Sequence, residues 1–431
     1  MMVKARFVVP VNGPPIKNGA VHFEGGKIVA VGPATQFTAR GALDYGDAVI
    51  LPGLVNAHTH LELSLLAGRV PPSADFVDWL TRLIAARSND LKSTIDNRQS
   101  TIPPNPTSNP ADYIERAVRI GIAQSLSSGV TTIGDITAFP HFSRPVLAHS
   151  PLRAVSFGEV IAMGKGRDLL STRICAATNL EQQTDRLRVG ISPHASYSVE
   201  PNALRVCKEK ARESNFPLCI HVAETTEEER FTRNREGRFA GFLSTLGLWD
   251  DCIPQSGCSP IELLAAVGVL GPQTVLAHAN YVSDSDIALI AASGASVAYC
   301  PRTHAAFGHP PHRFRDMLRA GVNVCLGTDS LASNPSLSIL DELRLLQSKC
   351  HDVAPEDLLA LGTLRGACAL GFSHAVGSLT PGKSADFAVI PLPATAPTWD
   401  ETLNSRNAPA AVYVQGQELV PPDSCDCDRP L

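Results

Sequence analysis

Residues 51–60 read LPGLVNAHTH, an apolar run that ends in two histidines separated by one threonine. Side chains two residues apart on a β-strand point to the same side. His58 and His60 are therefore predicted to project together from the end of one strand. A His-x-His pair by itself says little, because most such pairs have no functional role, so its interpretation depends on the rest of the chain.

The same plan, an apolar run followed by polar or small residues, recurs along the chain. Continuous apolar runs are typical of parallel strands that are buried on both faces. Eight such runs occupy residues 51–60, 129–135, 152–160, 187–196, 217–224, 274–280, 296–303 and 322–330. Helical patterns follow most of them, including residues 112–127, 201–215, 284–292 and 355–370. Eight strand–helix units predict an α/β fold of the (β/α)8, or TIM barrel, type.

Strand patterns also occur outside the barrel units, at both ends of the chain. Residues 6–10 and 20–31 are apolar and β-branched around Gly25 and Gly26, and residues 385–392 and 410–420 repeat this pattern around Gly416. Glycine turns between such segments indicate hairpins. We expect the two termini to join as one small β-sandwich. This divides the chain into residues 1–52, a barrel over residues 53–376, and residues 377–431.

The composition argues against several classes of protein. The 431 residues carry a net charge of −5, with 18% charged residues and no basic stripe, which argues against a nucleic-acid partner. No run approaches the roughly 18 apolar residues that span a bilayer, and the apolar start is too short for a secretory signal. The 11 cysteines, an odd number scattered through apolar segments, fit reduced thiols and a cytoplasmic location.

Three segments fall outside these patterns. Residues 103–110 read PPNPTSNP, which cannot form regular structure and is predicted to cross the barrel rim. Residues 225–260 form a long insertion, and long barrel loops are usually lids or oligomer contacts, so a homodimer is left open. Cys425 and Cys427 near the end could bind a metal, although a solvated tail is the favoured interpretation.

Three further apolar runs end in groups that bind metals or protons. His221 lies in CIHVAE (219–224), His278 in VLAHAN (275–280) and Asp329 in LGTDS (326–330). The carboxyl ends of barrel strands form the face where barrel enzymes keep their chemistry. The pair His58 and His60, a third imidazole and a carboxylate make a set suited to Zn²⁺ or Fe²⁺, with one position open for water.

Glu224 follows His221 by three residues. A strand that ends in the histidine and turns into a helix would bring this carboxylate over the metal site. There it could take a proton from water and pass it to a leaving amine. The alternative is a glutamate that is merely favoured by the dipole at a helix N-terminus.

The segments PGLVNAHTHLE, HVAE, LAHAN and LGTDSLASN, in this order, resemble the amidohydrolase superfamily. They are most similar to the branch that holds cytosine deaminases, triazine chlorohydrolases, and S-adenosylhomocysteine and aminodeoxyfutalosine deaminases. The resemblance covers nearly the whole chain, including the divided β-sandwich. Its motifs are specific for the superfamily and not for a substrate.

The resemblance implies a site with one divalent ion, with zinc favoured over iron. Four side chains match the ligands of the one-metal members: His58, His60, His221 and Asp329. It also implies that Asp329 accepts a proton from the attacking water, that His278 hydrogen-bonds the nucleophile or substrate, and that Glu224 is the proton shuttle. No lysine stands at the end of strand four, where two-metal members often carry a bridging lysine.

Residues for substrate binding are less clearly marked. The resemblance assigns His194, after strand four, to the substrate, and Glu62 and Ser64 match a similar pair in aminodeoxyfutalosine deaminases. After strand seven, adenosine-type deaminases usually carry an asparagine, whereas this chain has Arg302 and His304. These two residues are predicted to contact a substituent of the substrate, and a packed rim loop is the alternative.

These observations predict a metal-dependent hydrolase that deaminates an aminated heterocycle. The expected partner is a small heterocyclic molecule, and an adenine-like nucleoside fits the resemblance best. The alternative is an amidohydrolase that cleaves another C–N bond, or the C–Cl bond of a triazine-like ring, with the same metal site. A barrel acting on sugars would require paired carboxylates on strands four and seven, which this sequence lacks.

Overall fold

The computed structural model describes residues 1–37, 41–96 and 109–419. Most of the segment 103–110 that was predicted to cross the barrel rim lies outside the described residues, as do Cys425 and Cys427. Among the described residues, no helix is both long enough and apolar enough to cross a membrane.

The described strands form two sheets. One sheet contains strands from both termini: β1 Met2–Val8, β2 Ile16–Glu24, β3 Lys27–Pro33, β4 Leu43–Asp44, β5 Ala48–Pro52, β14 Phe387–Pro391, β15 Ala411–Val414 and β16 Gln417–Leu419. The other contains the strands between them: β6 Leu54–Thr59, β7 Val130–Thr137, β8 Arg153–Val160, β9 Leu187–Pro193, β10 Leu218–Val222, β11 Thr274–His278, β12 Ser296–Tyr299 and β13 Asn323–Leu326.

The second sheet is a parallel barrel whose strands follow one another in chain order. It closes between β6 and β13 through a bridge between Thr59 and Asp329 and through a 2.7 Å hydrogen bond from Asn56 Nδ2 to Thr328 Oγ1. All eight predicted barrel strands are present, so the predicted fold class is confirmed. The apolar run 51–60 is divided between the two sheets. Leu51 and Pro52 belong to β5 of the terminal sheet, and only residues from Leu54 onward enter the barrel.

Fifteen α-helices lie in the described part of the chain. They are α1 Phe76–Asp96, α2 Pro110–Ser127, α3 Pro140–Ala148, α4 Leu170–Ala177, α5 Pro201–Ser214, α6 Thr226–Asn234, α7 Arg238–Thr245, α8 Pro260–Ala266, α9 Asp284–Ser293, α10 Pro301–Ala306, α11 Phe314–Arg319, α12 Ile339–Lys349, α13 Pro355–Leu361, α14 Leu364–Ala369 and α15 Glu401–Asn404.

The helices differ from the sequence predictions in three places. The predicted helix over 355–370 is two helices, because the backbone at Thr363 (φ −138°, ψ −96°) is not helical. The long α1 was not predicted, and the insertion 225–260 contains α6 and α7. The start and end of α9 follow from its sequence, since Ser283 and Asp286 form a capping box and Gly294 ends the helix at φ 74°.

The interior of the barrel is filled with apolar side chains below its carboxyl-terminal end. Val55, Phe157, Cys219, Val275 and Cys325 are fully buried there and belong to one cluster with residues of α14. A filled interior leaves the mouth of the barrel as the place where polar side chains can meet a ligand.

The terminal sheet mixes strands from the two ends of the chain, as the sequence predicts. β5 pairs with β1 on one side and with β14 on the other, with Ile50 opposite Val389. The sheet curls so that Phe23 of β2 contacts Phe387 of β14, with ring centroids 5.6 Å apart. The division of the chain into segments 1–52, 53–376 and 377–431 stays a prediction.

Truncation before Lys383 should therefore cause aggregation. It removes β14, β15 and β16 and leaves the apolar edge of β5 unpaired, which is a template for pairing between chains. Size-exclusion chromatography with light scattering of the truncated and full chains measures this. A soluble, fully active truncated protein would contradict it.

Candidate metal centre and active site

Four side chains converge at the mouth of the barrel: His58, His60, His221 and Asp329. His60 Nε2 lies 3.1 Å from His221 Nε2, and Asp329 Oδ1 lies 3.6 Å from His60 Nε2 and 3.8 Å from His58 Nε2. Four ligands around a tetrahedral zinc ion, at about 2.0–2.1 Å from it, are roughly 3.3–3.4 Å apart. His58 Nε2 is buried and has no hydrogen-bond partner within the described chain. The set therefore fits one divalent ion.

Neighbouring groups orient two of these side chains. His221 Nδ1 donates a 3.0 Å hydrogen bond to the carbonyl of His194, which leaves the lone pair of Nε2 facing the other imidazoles. Ser333 Oγ donates to Asp329 Oδ2 at 2.5 Å, so that Oδ1 faces the histidines. The backbone N–H of Asp329 donates to the carbonyl of His58, which ties the last strand to the first.

Burial sets the protonation of the cluster. It lowers the pKa of His221 to about 3 and the pKa values of His58 and His60 well below their usual range. A neutral imidazole has the lone pair that a metal requires. Burial also raises the pKa of Asp329 to about 6, against the opposing effect of its hydrogen bond with Ser333.

The backbone is left-handed where three strands meet the site. Ala223 (φ 50°), His278 (φ 71°), Ala279 (φ 49°) and Asp329 (φ 60°) all have positive φ values. Each costs roughly 1–3 kcal/mol for a residue other than glycine, and such conformations cluster at functional sites. The short polar motifs after these strands therefore turn sharply.

Glu224 and His278 stand beside the cluster. Glu224 Oε1 lies 3.4 Å from His278 Nε2, and both side chains are buried. Glu228 Oε2 accepts a 2.8 Å hydrogen bond from the backbone N–H of Glu224, and the carbonyl of Glu224 accepts one from Asn280. Burial, followed by the charges of Asp329 and Glu228, raises the pKa of Glu224 well above its usual value. A raised pKa suits a group that gives and takes a proton near neutrality.

His278 is close enough to the cluster for two roles: ligand of the ion, or hydrogen-bond partner of the nucleophile or substrate. Ring nitrogens of His58 and His278 and an oxygen of Asp329 lie within 4.8 Å of one another, as do the nitrogens of His58, His60 and His221. His312 Nε2 donates a 2.8 Å hydrogen bond to the carbonyl of His278 and so fixes its left-handed backbone. That His278 contacts the nucleophile or substrate without ligating the ion stays a prediction.

A cavity opens over the cluster, and much of its wall is apolar. Helix α1 contributes Phe76, Trp79 and Leu83, and α7 contributes Phe242 and Leu243. The insertion 225–260 therefore supplies part of this wall. The apolar residues of α1 recur at intervals of three and four, which is the sequence signal that could have predicted this helix.

The polar part of the wall contains seven of the predicted residues and four that were not predicted, Arg87, Glu159, Tyr197 and Ser198. His194 and Glu62 line the cavity, as does Glu224. Glu62 has partners on both oxygens, because Arg87 lies 3.1 Å from Oε1 while Thr137 Oγ1 (2.7 Å) and Ala138 N (3.0 Å) donate to Oε2. Arg87 itself is a wall residue that the sequence analysis missed.

Glu159 is another residue of the wall that was not predicted. It is the last residue but one of β8, at the end of an apolar run that was predicted as a strand. A carboxylate at the carboxyl end of a barrel strand is the signal that could have identified it. Its Oε1 lies 3.8 Å from His194 Nε2.

Arg302 and His304 do not belong to the cavity wall formed by the described residues. Arg302 donates a 2.6 Å hydrogen bond to Ser336 and lies 3.5 Å from Asp341. His304 is buried against the rings of Tyr299, His309 and His312. Both residues lie in helix α10 and contact neighbouring protein groups, and their contact with a substituent of the substrate stays a prediction.

A fold and a donor set of this kind define a metal-dependent hydrolase, and comparison with known proteins gives the family. The model of the amidohydrolase family matches residues 49–419, and the chain belongs to this family.

Two relatives and one solved structure illustrate the similarity. The chain is 30% identical to the 5-methylthioadenosine/S-adenosylhomocysteine deaminase of Nitratidesulfovibrio vulgaris Miyazaki F, covering 88% of this chain and 80% of that protein. It is 28% identical to the 5'-deoxyadenosine deaminase of Methanoregula boonei, covering 81% and 72%. The adenosine deaminase of Xanthomonas campestris has a similar fold, with a TM-score of 0.79, 23% identity, and coverage of 97% and 92%.

Proposed function

We propose that this protein is a metal-dependent deaminase of an adenine-like nucleoside. The observation that carries the proposal is the convergence of three imidazoles and Asp329 beside the buried pair Glu224 and His278. Relatives that deaminate methylthioadenosine, S-adenosylhomocysteine and 5'-deoxyadenosine, as their names state, support the substrate class. The reaction adds water to the ring carbon that bears the amine and releases ammonia.

In this proposal His58, His60, His221 and Asp329 hold the ion. A divalent ion bound there supplies a Lewis acid and lowers the pKa of water toward neutrality. Three imidazole nitrogens and one carboxylate oxygen are ligands that zinc takes in four-coordinate sites, and we propose zinc in preference to iron. Elemental analysis of protein expressed with each metal distinguishes the two.

Glu224 moves the protons. Its buried carboxyl is next to His278 and has a raised pKa, so it can hold the proton that a ring nitrogen and then the departing ammonia require. Asp329 serves as a further acceptor for the proton of water. His278, with its backbone fixed by His312, hydrogen-bonds the nucleophile or the substrate.

His194 and Glu62 form part of the substrate subsite. Burial lowers the pKa of His194 to about 4, so that this imidazole is neutral and can donate or accept one hydrogen bond to a ring. Its Nδ1 lies 2.6 Å from Ser198 Oγ. This contact orients the ring so that Nε2 faces Glu159 Oε1 at 3.8 Å. The apolar wall from Phe76 and Trp79 offers contact to a flat, uncharged heterocycle.

A reconstituted enzyme should release ammonia from at least one adenine nucleoside. The panel contains adenosine, 5'-deoxyadenosine, methylthioadenosine and S-adenosylhomocysteine, together with cytosine, a pterin, a simple amide and a chlorinated triazine. Chelated protein is the control. Hydrolysis of the amide or the chlorinated ring, without ammonia from any aminated heterocycle, would contradict the deaminase proposal and leave the family assignment intact.

We also propose a cytoplasmic location. All nine cysteines in the described residues are free thiols, which fits a reducing compartment. A homodimer stays a prediction that light scattering can test.

A further inference from the structure

Glu159 differs from the other carboxylates around the cavity. Its side chain is 12% exposed and lines the cavity next to His194. Within the described residues, no group donates a hydrogen bond to Glu159, whereas both oxygens of Glu62 accept hydrogen bonds from protein groups. A carboxylate that is largely withdrawn from water gains most from hydrogen-bond donors, so Glu159 has acceptor capacity left for a ligand.

The charges of the wall restrict what that ligand can be. Away from the metal cluster, the acidic groups are Glu62 and Glu159, and Arg87 is the one guanidinium or ammonium group among the described lining residues. Arg87 already contacts Glu62 at 3.1 Å. A phosphate or carboxylate placed against Glu159 would meet a like charge, whereas hydroxyl groups would supply the missing donors.

The position of Glu159 relates it to a substituent and not to the reacting ring. His194 contacts both the cluster and Glu159, with 4.9 Å between the ring centroids of His194 and His221 and 3.8 Å from His194 Nε2 to Glu159 Oε1. Glu159 belongs to neither group of possible metal ligands, so a ligand group bound at Glu159 lies beside the ring carbon that is attacked and not at it. In a nucleoside, the group next to the ring is the ribose.

We propose that Glu159 binds the vicinal 2'- and 3'-hydroxyl groups of the nucleoside substrate, with one carboxylate oxygen accepting from each hydroxyl. Two O–H donors on adjacent carbons match the two oxygens of one carboxylate. This inference rests on the proposed function and makes Glu159 a determinant of specificity for an uncharged ribonucleoside.

The experiment compares kcat/KM for adenosine, 2'-deoxyadenosine, 3'-deoxyadenosine and 2',3'-dideoxyadenosine in the wild type, Glu159→Gln and Glu159→Ala. Hydrogen bonds to a charged group support an expected loss of about 10- to 100-fold from adenosine to the dideoxy compound in the wild type. Glu159→Ala should lower kcat/KM for adenosine by a similar factor. It should hardly lower kcat/KM for the dideoxy compound, which has no hydroxyl groups to bind. Glu159→Gln keeps one acceptor oxygen and the side-chain volume, so its kcat/KM for adenosine should lie between those of the wild type and Glu159→Ala.

Glu62→Gln is the matched comparison, because this carboxylate lines the same cavity but already has protein partners on both oxygens. Its loss should be equal on all four substrates. Metal content is measured for every variant, so that a damaged cluster is recognised. Equal losses on all four substrates in Glu159→Ala, or a wild type that does not distinguish them, would overturn the inference. Failure of the wild type to deaminate any adenine nucleoside would instead contradict the proposed function.

Discussion

Glu224→Gln is expected to keep its metal and to lose kcat by about 10²–10⁴-fold, the range that a positioned general acid–base group contributes. The amide has nearly the same shape and can keep the contact with His278 at 3.4 Å, but it cannot carry a proton. The backbone hydrogen bond to Glu228 does not involve the altered group and should survive. Steady-state kinetics and elemental analysis on the same preparation measure both quantities.

Glu228→Gln is the control for Glu224→Gln. Glu228 is also a buried carboxylate, and it contacts the backbone of Glu224 and the hydroxyl of Ser196. It acts by positioning Glu224, so its substitution should cost less in kcat. If Glu224→Gln with bound metal turns over at nearly the wild-type rate, then Glu224 is not the proton shuttle.

His221→Ala is expected to lose both the metal and the activity. His221 Nε2 is 3.1 Å from His60 Nε2, and its Nδ1 is held by the carbonyl of His194, so the side chain is already oriented as a ligand. Loss of a hydrogen bond to a ligand typically lowers metal affinity by about 10–100-fold, and loss of the ligand itself should cost more. Metal titration with a fluorescent chelator gives the affinity.

His304→Ala is the matched control, because it also removes a buried imidazole, in this case from helix α10 after the seventh barrel strand. His304 is outside the cavity wall, so this variant should retain its metal and its kcat. A raised KM would instead favour the sequence prediction that His304 contacts substrate. Full metal occupancy in His221→Ala would remove His221 from the proposed ligand set.

The barrel could be predicted because its signal is local and repeated. Each strand is a short apolar run, and both strand ends and helix ends carry their own chemistry, such as the capping box at Ser283. The break between α13 and α14 could not be predicted in this way. It depends on the backbone of Thr363, whose conformation is set by packing and not by the apolar pattern.

The candidate site also has a part that could be predicted from the sequence and a part that could not. His58 and His221 are the last residues but one of their strands, and His60 and Asp329 follow strand ends, so parallel topology brings all four to one face. The wall of the cavity comes from α1 and α7, which approach the mouth through tertiary packing that a strand pattern does not encode. Arg302 and His304 also follow a strand end, but they lie in α10, contact Ser336 and Tyr299, and are not among the residues of the cavity wall.

The pairing of β5 with β14 also affects how the protein is made. The residues that pair with Val49 and Ile50 are synthesised roughly 340 residues later, which at about 5–20 residues per second is a delay of about 17–70 seconds. During that time the nascent chain on the ribosome exposes an apolar strand with one unsatisfied edge, while the barrel units can already assemble in order. Chaperones that cover this edge should raise the yield of folded protein. They should leave the free energy of unfolding of the finished molecule unchanged.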